Sequence, residues 1–502
     1  MNAVAWRCDS AAGCVAAPLR RHDTVLLLDT PRARSAPPRA TRCITRAPRI
    51  HAVSMAALLL RRQSKAELWP RWQSEETSAL FATSMLLRAS PPVRHIGCIP
   101  RRIMRGPAEG FASTRPSSTS AATATGLSAL ADVDVAGHLV AALLAVRRAA
   151  HLTTGAQGAL ITGTDTASKA DASPVTVADY ATQALVATSL ASWHPEIPLL
   201  AEEDATELRL PSAAPQVARV TALVNATWTG KYGRSALSEA QVLDAIDRGA
   251  CPGGRQGSFW VLDPIDGTKG FVAGRQYCIA LALVRDGKPV LGVCGSPNLG
   301  PVGTDVCPPG TGVVFFAVAG RGAFSVPMAA LDSAAAADVH ASPKQLLSAL
   351  ETLPGASQLA VSASRPLNAL RVAESSSDSA CAAHGDTARV SAALGVDRSA
   401  CKPVQMDSCA KYGVCARGEA ELYLRFPPDT YREKVWDHAA GTILVEESGG
   451  KVTDCAGRPL DFGQGRYLDM AGGIVAAPAQ HHAAVLEAVN KCIVRKSMSS
   501  TH

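Results

Sequence analysis

Apolar residues recur at helical spacing at Val135, Leu139, Leu143 and Val146, on one face of an amphipathic helix with Arg147 and Arg148 near its end. A second helical pattern, Tyr180, Ala184 and Thr188, follows Asp179. Residues 211–257 are polar and glycine-containing, with one short helical stretch near Leu237 to Ile246. The period then shortens. Ser258 to Leu262 is aromatic and branched and reads as a strand. Tyr277 to Val284 and Pro289 to Cys294 are apolar runs separated by Arg285-Asp286-Gly287-Lys288, and Asp-Gly is the preferred two-residue hairpin signal. Val313 to Ala319 and Ala323 to Val326 repeat the device around Gly320 and Gly322. Residues 329–357 are Ala/Ser-rich and loosely patterned, which places a domain junction there. Beyond it, strand-like Gln358 to Ser362, Pro403 to Met406, Leu422 to Phe426 and Gly473 to Ala477 alternate with helices, one of them near 386–394. The whole reads as a layered α+β protein.

Composition divides the chain more sharply than periodicity does. Of the formal charge of +7, residues 1–125 carry +12, from 19 Lys/Arg (18 of them Arg) against 7 Asp/Glu; the remainder is therefore −5. A mildly acidic body offers no nucleic-acid surface, so anion attraction there must come from local Lys and Arg together with bound metal. The leader is rich in Arg, Ala and Ser, the composition of a transit peptide. It is expected to be disordered and to direct the chain to the chloroplast in preference to the mitochondrion, with a cytosolic placement the alternative. Later starts at Met55, Met85 or Met104 are a further alternative. The remaining boundaries are 126–330 for an N-terminal α+β domain and 331–502 for a C-terminal α/β domain. Fourteen cysteines occur without a CxxC pair or a zinc-type Cys/His spacing. Cys278 and Cys294 fall inside strand-like runs and read as small buried hydrophobes.

Four segments carry chemistry. The first is Asp263-Pro264-Ile265-Asp266-Gly267-Thr268-Lys269-Gly270-Phe271: a strand ends in two carboxylates and turns into a helix through Gly-Thr. Carboxylates suit Mg²⁺, and free backbone N–H groups at a helix start suit phosphate; the lesser reading of the segment alone is an acidic turn followed by a helix cap. The second is Leu199-Leu200-Ala201-Glu202-Glu203-Asp204, an apolar run ending in acids, of which Glu203 and Asp204 are expected to be solvent-exposed. The third is Ser173-Pro174-Val175-Thr176-Val177-Ala178-Asp179-Tyr180, leading into a helix. The fourth is Val435-Trp436-Asp437-His438-Ala439-Ala440-Gly441, with Asp437 at a helix start, opposite the positive end of its dipole.

Together these segments resemble the lithium-sensitive, magnesium-dependent phosphatase superfamily of inositol monophosphatase and fructose-1,6-bisphosphatase. The form DPIDGTKGF, with SPVTVADY, QMDSCAKYG at 405–413 and ELYLRFPPDTYREKVWDHAAG at 421–441, resembles most the 3′(2′),5′-bisphosphate nucleotidase branch. The resemblance covers roughly 126–495. It implies a five-layer αβαβα fold with the site where the two halves meet. It implies two or three Mg²⁺ ions held by Glu202, Asp263, Asp266, Asp437 and the main-chain oxygen of Ile265. Asp179 and Thr268 match the pair that orients the attacking water. Gly267 and Thr268 match the backbone donors to phosphate, and Ser408, Lys411 and Arg425 match contacts to the nucleoside end of the substrate. Family members carry a His-x-x-His pair where this chain has Cys381 and His384, so only His384 is retained for that contact.

The reaction so implied is release of the 3′-phosphate from 3′-phosphoadenosine 5′-phosphate, and from related phosphosulfates in sulfur assimilation, by metal-activated water. The partner is a small phosphate ester, with neither nucleic acid nor membrane involved. An inositol polyphosphate 1-phosphatase is the alternative within the superfamily, and a catalytically silent nucleotide-binding regulator the alternative outside it. The presence of every metal acid and of Thr268 argues against the silent regulator.

Overall fold

A computed structural model describes residues 126–132, 134–160, 166–168, 174–301, 303–308, 311–336, 342–352, 354–376 and 384–493. The expected leader, 1–125, and Cys381 lie outside the described residues. The first helix, α1 (Ala136–Leu160), continues well past Arg148. A short antiparallel hairpin, β1 (Thr166–Ser168) and β2 (Pro174–Thr176), leads into α2 (Val177–Ala191). That helix begins before Asp179, not after it. Thr176 is its N-cap: its hydroxyl accepts from the N–H groups of Ala178 and Asp179, and the Asp179 carboxylate accepts from the Thr176 N–H.

Two helices, α3 (Ala214–Trp228) and α4 (Glu239–Asp247), occupy the stretch read as polar. Only α4 was expected. The signal for α3 is Val217, Val220, Val224 and Trp228, all buried, spaced to line one helix face within a polar background.

A seven-stranded sheet follows, in the order β3 (Leu199–Ala201), β4 (Ser258–Asp266), β5 (Cys278–Arg285), β6 (Lys288–Ser296), β7 (Val313–Val318), β8 (Gly322–Pro327) and β9 (Ser357–Gln358). All neighbours are antiparallel except β3 and β4. The Asp-Gly hairpin closes as expected, with φ of 50° at Asp286 and 77° at Gly287. The strand expected over Gln358 to Ser362 shrinks to β9. After β4 comes the five-residue α5 (Thr268–Val272), and after β8 come α6 (Met328–Ala336) and α7 (Pro343–Thr352) in the loosely patterned stretch.

The second sheet runs β11 (Val404–Gln405), β10 (Val372–Glu374), β12 (Leu422–Arg425), β14 (Ile474–Pro478), β13 (Gly450–Asp454). Its helices are α8 (His384–Ala393), α9 (Ala410–Ala416), α10 (Ala439–Glu447) and α11 (Ala479–Cys492). The period of two sorts each strand between cores. Ile279, Leu281 and Leu283 of β5 join the core of α1 and α2, whereas Cys278, Ala280, Ala282 and Val284 join that of α9 and α10. Tyr423 of β12 faces this middle core, and Leu422 and Leu424 face the outer one with Val485 and Val489 of α11. Helices, sheet, helices, sheet, helices: this is the αβαβα order expected. No described helix is long and apolar enough to cross a membrane.

Candidate active site: an acidic cluster where the two sheets meet

Asp263 and Asp266 are three apart in sequence, a spacing that puts side chains on opposite faces of a regular strand. Here they share a face. Asp263 pairs with Ala280 and Asp266 with Cys278, so three steps on β4 oppose two on β5. The extra residue is a β-bulge at Pro264-Ile265, where proline has no N–H to give a ladder. Ile265 drops into the core of α1 and α2, and both carboxylates point to the middle layer. The Ile265 N–H donates to Asp263 Oδ1 at 3.0 Å, which fixes the corner. Gly267 then takes φ +85°, and the chain enters α5. A Cβ on Gly267 would lie 2.9 Å from Ser408 Cβ, so glycine is required both for the backbone conformation and for the approach of the second half of the chain.

The acids converge on Asp263. It is buried at 3 % exposure, and burial, then Glu202, Asp266, Asp437 and Asp179, push its carboxyl well above the usual range. Burial and Asp266 likewise raise Asp437, against the opposing pull of Arg425, whose guanidinium lies 3.7 Å away. Five carboxylates thus arrive from the end of β3, the bulge of β4, the first turn of α2 and the turn before α10. Such a set, all hard oxygen donors with more negative charge than its neighbours offset, fits Mg²⁺-type cations. Asp179 is buried, and its Oδ2 accepts from the Thr176 N–H at 2.8 Å and hydroxyl at 2.5 Å. The Thr268 hydroxyl donates to the Ile265 carbonyl at 3.2 Å, so the oxygen expected to hold metal and the hydroxyl expected to orient water are in contact.

The other wall is a turn over 406–411. The Cys409 N–H donates to the Asp266 carboxylate. Ser408 adopts φ +73°, and Lys411, buried, spans the turn from beneath, Nζ donating to the carbonyls of Ser408 at 2.7 Å and Met406 at 3.3 Å. Arg425 donates to Glu433 at 2.6 Å, Glu433 accepts from His438 Nε2 at 2.9 Å, and His438 Nδ1 meets the Tyr412 hydroxyl at 2.9 Å. Glu433 is held at about 2, because Arg425 and the hydrogen bond from His438 outweigh its burial.

Sequence reasoning missed Glu433, His438 and Tyr412. A buried carboxylate whose partner sits across a strand-to-loop connection leaves no local periodicity. Its one trace is a Glu placed near the acidic motif with a His beside Asp437. Glu203 also departs from expectation: it is buried, with its backbone N–H and carbonyl both tied to Gln183 of α2, while Asp204 is exposed as expected. His384 sits in a different group, its Nδ1 3.5 Å from Glu374, a carboxylate that also takes Arg398 and Thr387.

Residues 131–494 match the model of the inositol monophosphatase family. A rice protein named 3′(2′),5′-bisphosphate nucleotidase is 40 % identical over 381 residues, covering 73 % of this chain and 97 % of its own. An Arabidopsis thaliana protein named 3′,5′-bisphosphate nucleotidase 2 is 37 % identical over 373 residues, 72 % of this chain and 98 % of its own. A Candida albicans protein named 3′(2′),5′-bisphosphate nucleotidase 1 is 37 % identical over 370 residues, 72 % and 96 %.

Proposed function

The chain belongs to the inositol monophosphatase family, and from that premise we propose that it is a metal-dependent phosphatase hydrolysing the 3′-phosphate of 3′-phosphoadenosine 5′-phosphate to AMP and phosphate. The observation that carries the reading is the gathering of four acids around the buried Asp263 beside the Gly267-Thr268 corner, where burial first and then those acids raise its carboxyl. The relatives' names supply the substrate class.

Glu202, Asp263, Asp266, Asp437 and the Ile265 carbonyl would hold two or three Mg²⁺ ions. When bound, Mg²⁺ neutralises phosphate charge and makes hydroxide available from water near neutral pH. Asp179, fixed by Thr176, and Thr268 align the attacking water opposite the leaving oxygen. The N–H groups of Gly267 and Thr268 meet phosphate oxygens. Ser408, Lys411 and Arg425 meet the nucleoside end of the nucleotide and of phosphosulfates alike, and His384, grouped with Glu374 and Arg398, is assigned to that end by the family resemblance alone. Lithium inhibition and delivery to the chloroplast complete the proposal; the first rests on the family resemblance together with the hard-oxygen donor set and the second on the arginine-rich composition of 1–125.

The test is phosphate release with Mg²⁺ from 3′-phosphoadenosine 5′-phosphate and from inositol 1,4-bisphosphate in parallel. Preference for the nucleotide is expected. Preference for the inositol ester would overturn the substrate in favour of the inositol polyphosphate reading, and full activity in excess chelator would overturn the metal.

A further inference from the structure

A second set of metal-ligating side chains lies away from the acidic cluster. His138 stands in the first turn of α1. His194 and Glu196 stand in the connection from α2 to β3. The two imidazoles stack with centroids 4.1 Å apart and planes at 20°, and His194 Nδ1 is 3.4 Å from Glu196 Oε1. One donor atom from each of the three residues falls within 4.8 Å of the others.

Three nitrogens at this spot are buried and lack a hydrogen-bond partner: His138 Nδ1, His194 Nε2 and Nε1 of Trp260, whose ring is tilted against His138 at 6.2 Å. The Trp260 indole N–H only donates and cannot meet a cation, but each neutral imidazole carries one lone pair, and the buried ring nitrogens of His138 and His194 leave bonding capacity that a ligand would meet. The nearby cation, Arg285, is occupied by Asp134 at 2.6 Å and does not serve. An apolar packing role explains the stacked rings but not their unmatched nitrogens.

We propose that His138, His194 and Glu196 form a binding site for a borderline divalent transition ion of the Zn²⁺ class, separate from the oxygen-only cluster around Asp263. Two imidazoles and one carboxylate are a recurrent zinc set with a fourth position open to water. Metal–nitrogen bonds near 2.0–2.1 Å would bring the donors to roughly 3.3 Å from one another. The stacked rings must rotate about their Cβ–Cγ bonds to aim both lone pairs at one point. Glu196 is 65 % exposed at its side chain and free to swing in. Hard Mg²⁺ does not compete for imidazole nitrogen, so the two sites separate by chemistry. A bound ion would staple the start of α1 to the connection that leads through β3 to Glu202. This assignment does not depend on the proposed reaction.

The experiment uses the full chain, stripped of metal and then saturated with Mg²⁺ to fill the oxygen sites. Zn²⁺ is titrated by calorimetry, and Cu²⁺ is added to a parallel sample for paramagnetic resonance. One Zn²⁺ equivalent and nitrogen couplings on the copper signal are expected. In His138→Asn and in His194→Asn the Zn²⁺ affinity should fall at least about tenfold, with circular dichroism unchanged. Glu196→Gln, an exposed change that leaves folding intact, should weaken Zn²⁺ by a smaller factor and keep the nitrogen couplings. Copper without nitrogen couplings, or affinity within twofold of the parent in Glu196→Gln and in whichever histidine variants fold, would overturn the site.

Discussion

The two walls of the active site handle charge in opposite ways. On the β4 wall, Asp263 is buried among four other acids and its carboxyl is driven up. On the β12 wall, Glu433 is just as buried, yet its carboxyl is driven down to about 2, because Arg425 and His438 are hydrogen-bonded to it. The charge of the first wall faces like charge, whereas that of the second is paired within the protein. The contrast assigns labour. In the proposed function the first wall holds the cations, at a cost in stability when they are absent, and the second is the platform against which a substrate is positioned.

The largest effect that would break this contrast is on turnover. Asp263→Asn removes charge at the centre of the first wall. Turnover should fall by at least about a thousandfold, a barrier change of about 4 kcal/mol, while the metal-free protein unfolds at the same temperature as the parent or higher. Activity within tenfold of the parent would remove Asp263 from the cation site, and a large loss of stability would mean that its charge is compensated after all.

On the second wall the same type of change should act on stability. Glu433→Gln leaves the part-buried Arg425 beside Asp437 without its nearest carboxylate partner, at a cost of about 3 kcal/mol. The pH dependence follows in sign. The folded Glu433 sits near 2 and its ordinary value is 4.5, so its stabilisation is complete above about 4.5 and is lost as pH falls toward 2. By linkage that is about 3 kcal/mol, and the Gln variant should lack it. Denaturant unfolding at pH 7 and pH 3 measures both.

The metal-free protein should show the reverse slope from the first wall. Asp263 and Asp437 are raised above their ordinary value of 3.8, so the folded state holds protons that the unfolded state releases. Stability then falls as pH rises from about 3.8 toward the raised values, and saturating Mg²⁺ should abolish that fall. Thermal unfolding in chelator between pH 5 and 7 should show a drop of roughly a few degrees that disappears with Mg²⁺.

What the sequence discloses follows the same division. The β4 wall is local: strand, bulge, glycine corner and helix lie within Ser258 to Val272, so Asp263, Asp266 and Gly267 are legible as one motif. The hairpin at Asp286-Gly287 is legible for the same reason. The β12 wall joins long-range contacts to nearer ones, Arg425 to Glu433 and Glu433 to His438, that follow no helix or strand period. Cys409 reaches Asp266 across 143 residues, and Tyr412 reaches His438 across 26. Buried polar partners look like solvated charge in a sequence, which is why Glu203 reads as exposed and Glu433 passes unnoticed. The helix α3 was hidden by its polar faces, and β9 was overextended because an apolar run continues beyond the residues that pair. Two cysteines read as plain core, Cys278 and Cys294, are buried, and with Cys409 they form a close thiol trio beside Asp266.

Lys411 offers the smallest and sharpest comparison, because it is the one cation of the second wall that touches no carboxylate oxygen among its hydrogen bonds. Its ammonium lies under the 406–411 turn, gives two donors to the carbonyls of Ser408 and Met406, and stands 5.5 Å from the centre of the Tyr423 ring. Burial lowers its pKa, and the opposing pull of Asp266 and Asp407 does not restore it. An ammonium has three N–H donors, so one remains for a substrate phosphate or ribose oxygen. Lys411→Met keeps the length and apolar packing of the stem and removes that donor. KM for the bisphosphorylated nucleotide should rise about tenfold, about 1.4 kcal/mol, with kcat within about twofold. An unchanged KM with a lowered kcat would show instead that Lys411 acts only by holding the turn that presents the Cys409 N–H to Asp266. The distinction is kinetic, because in either case the two carbonyls lose their donor and stability falls by about 1 kcal/mol.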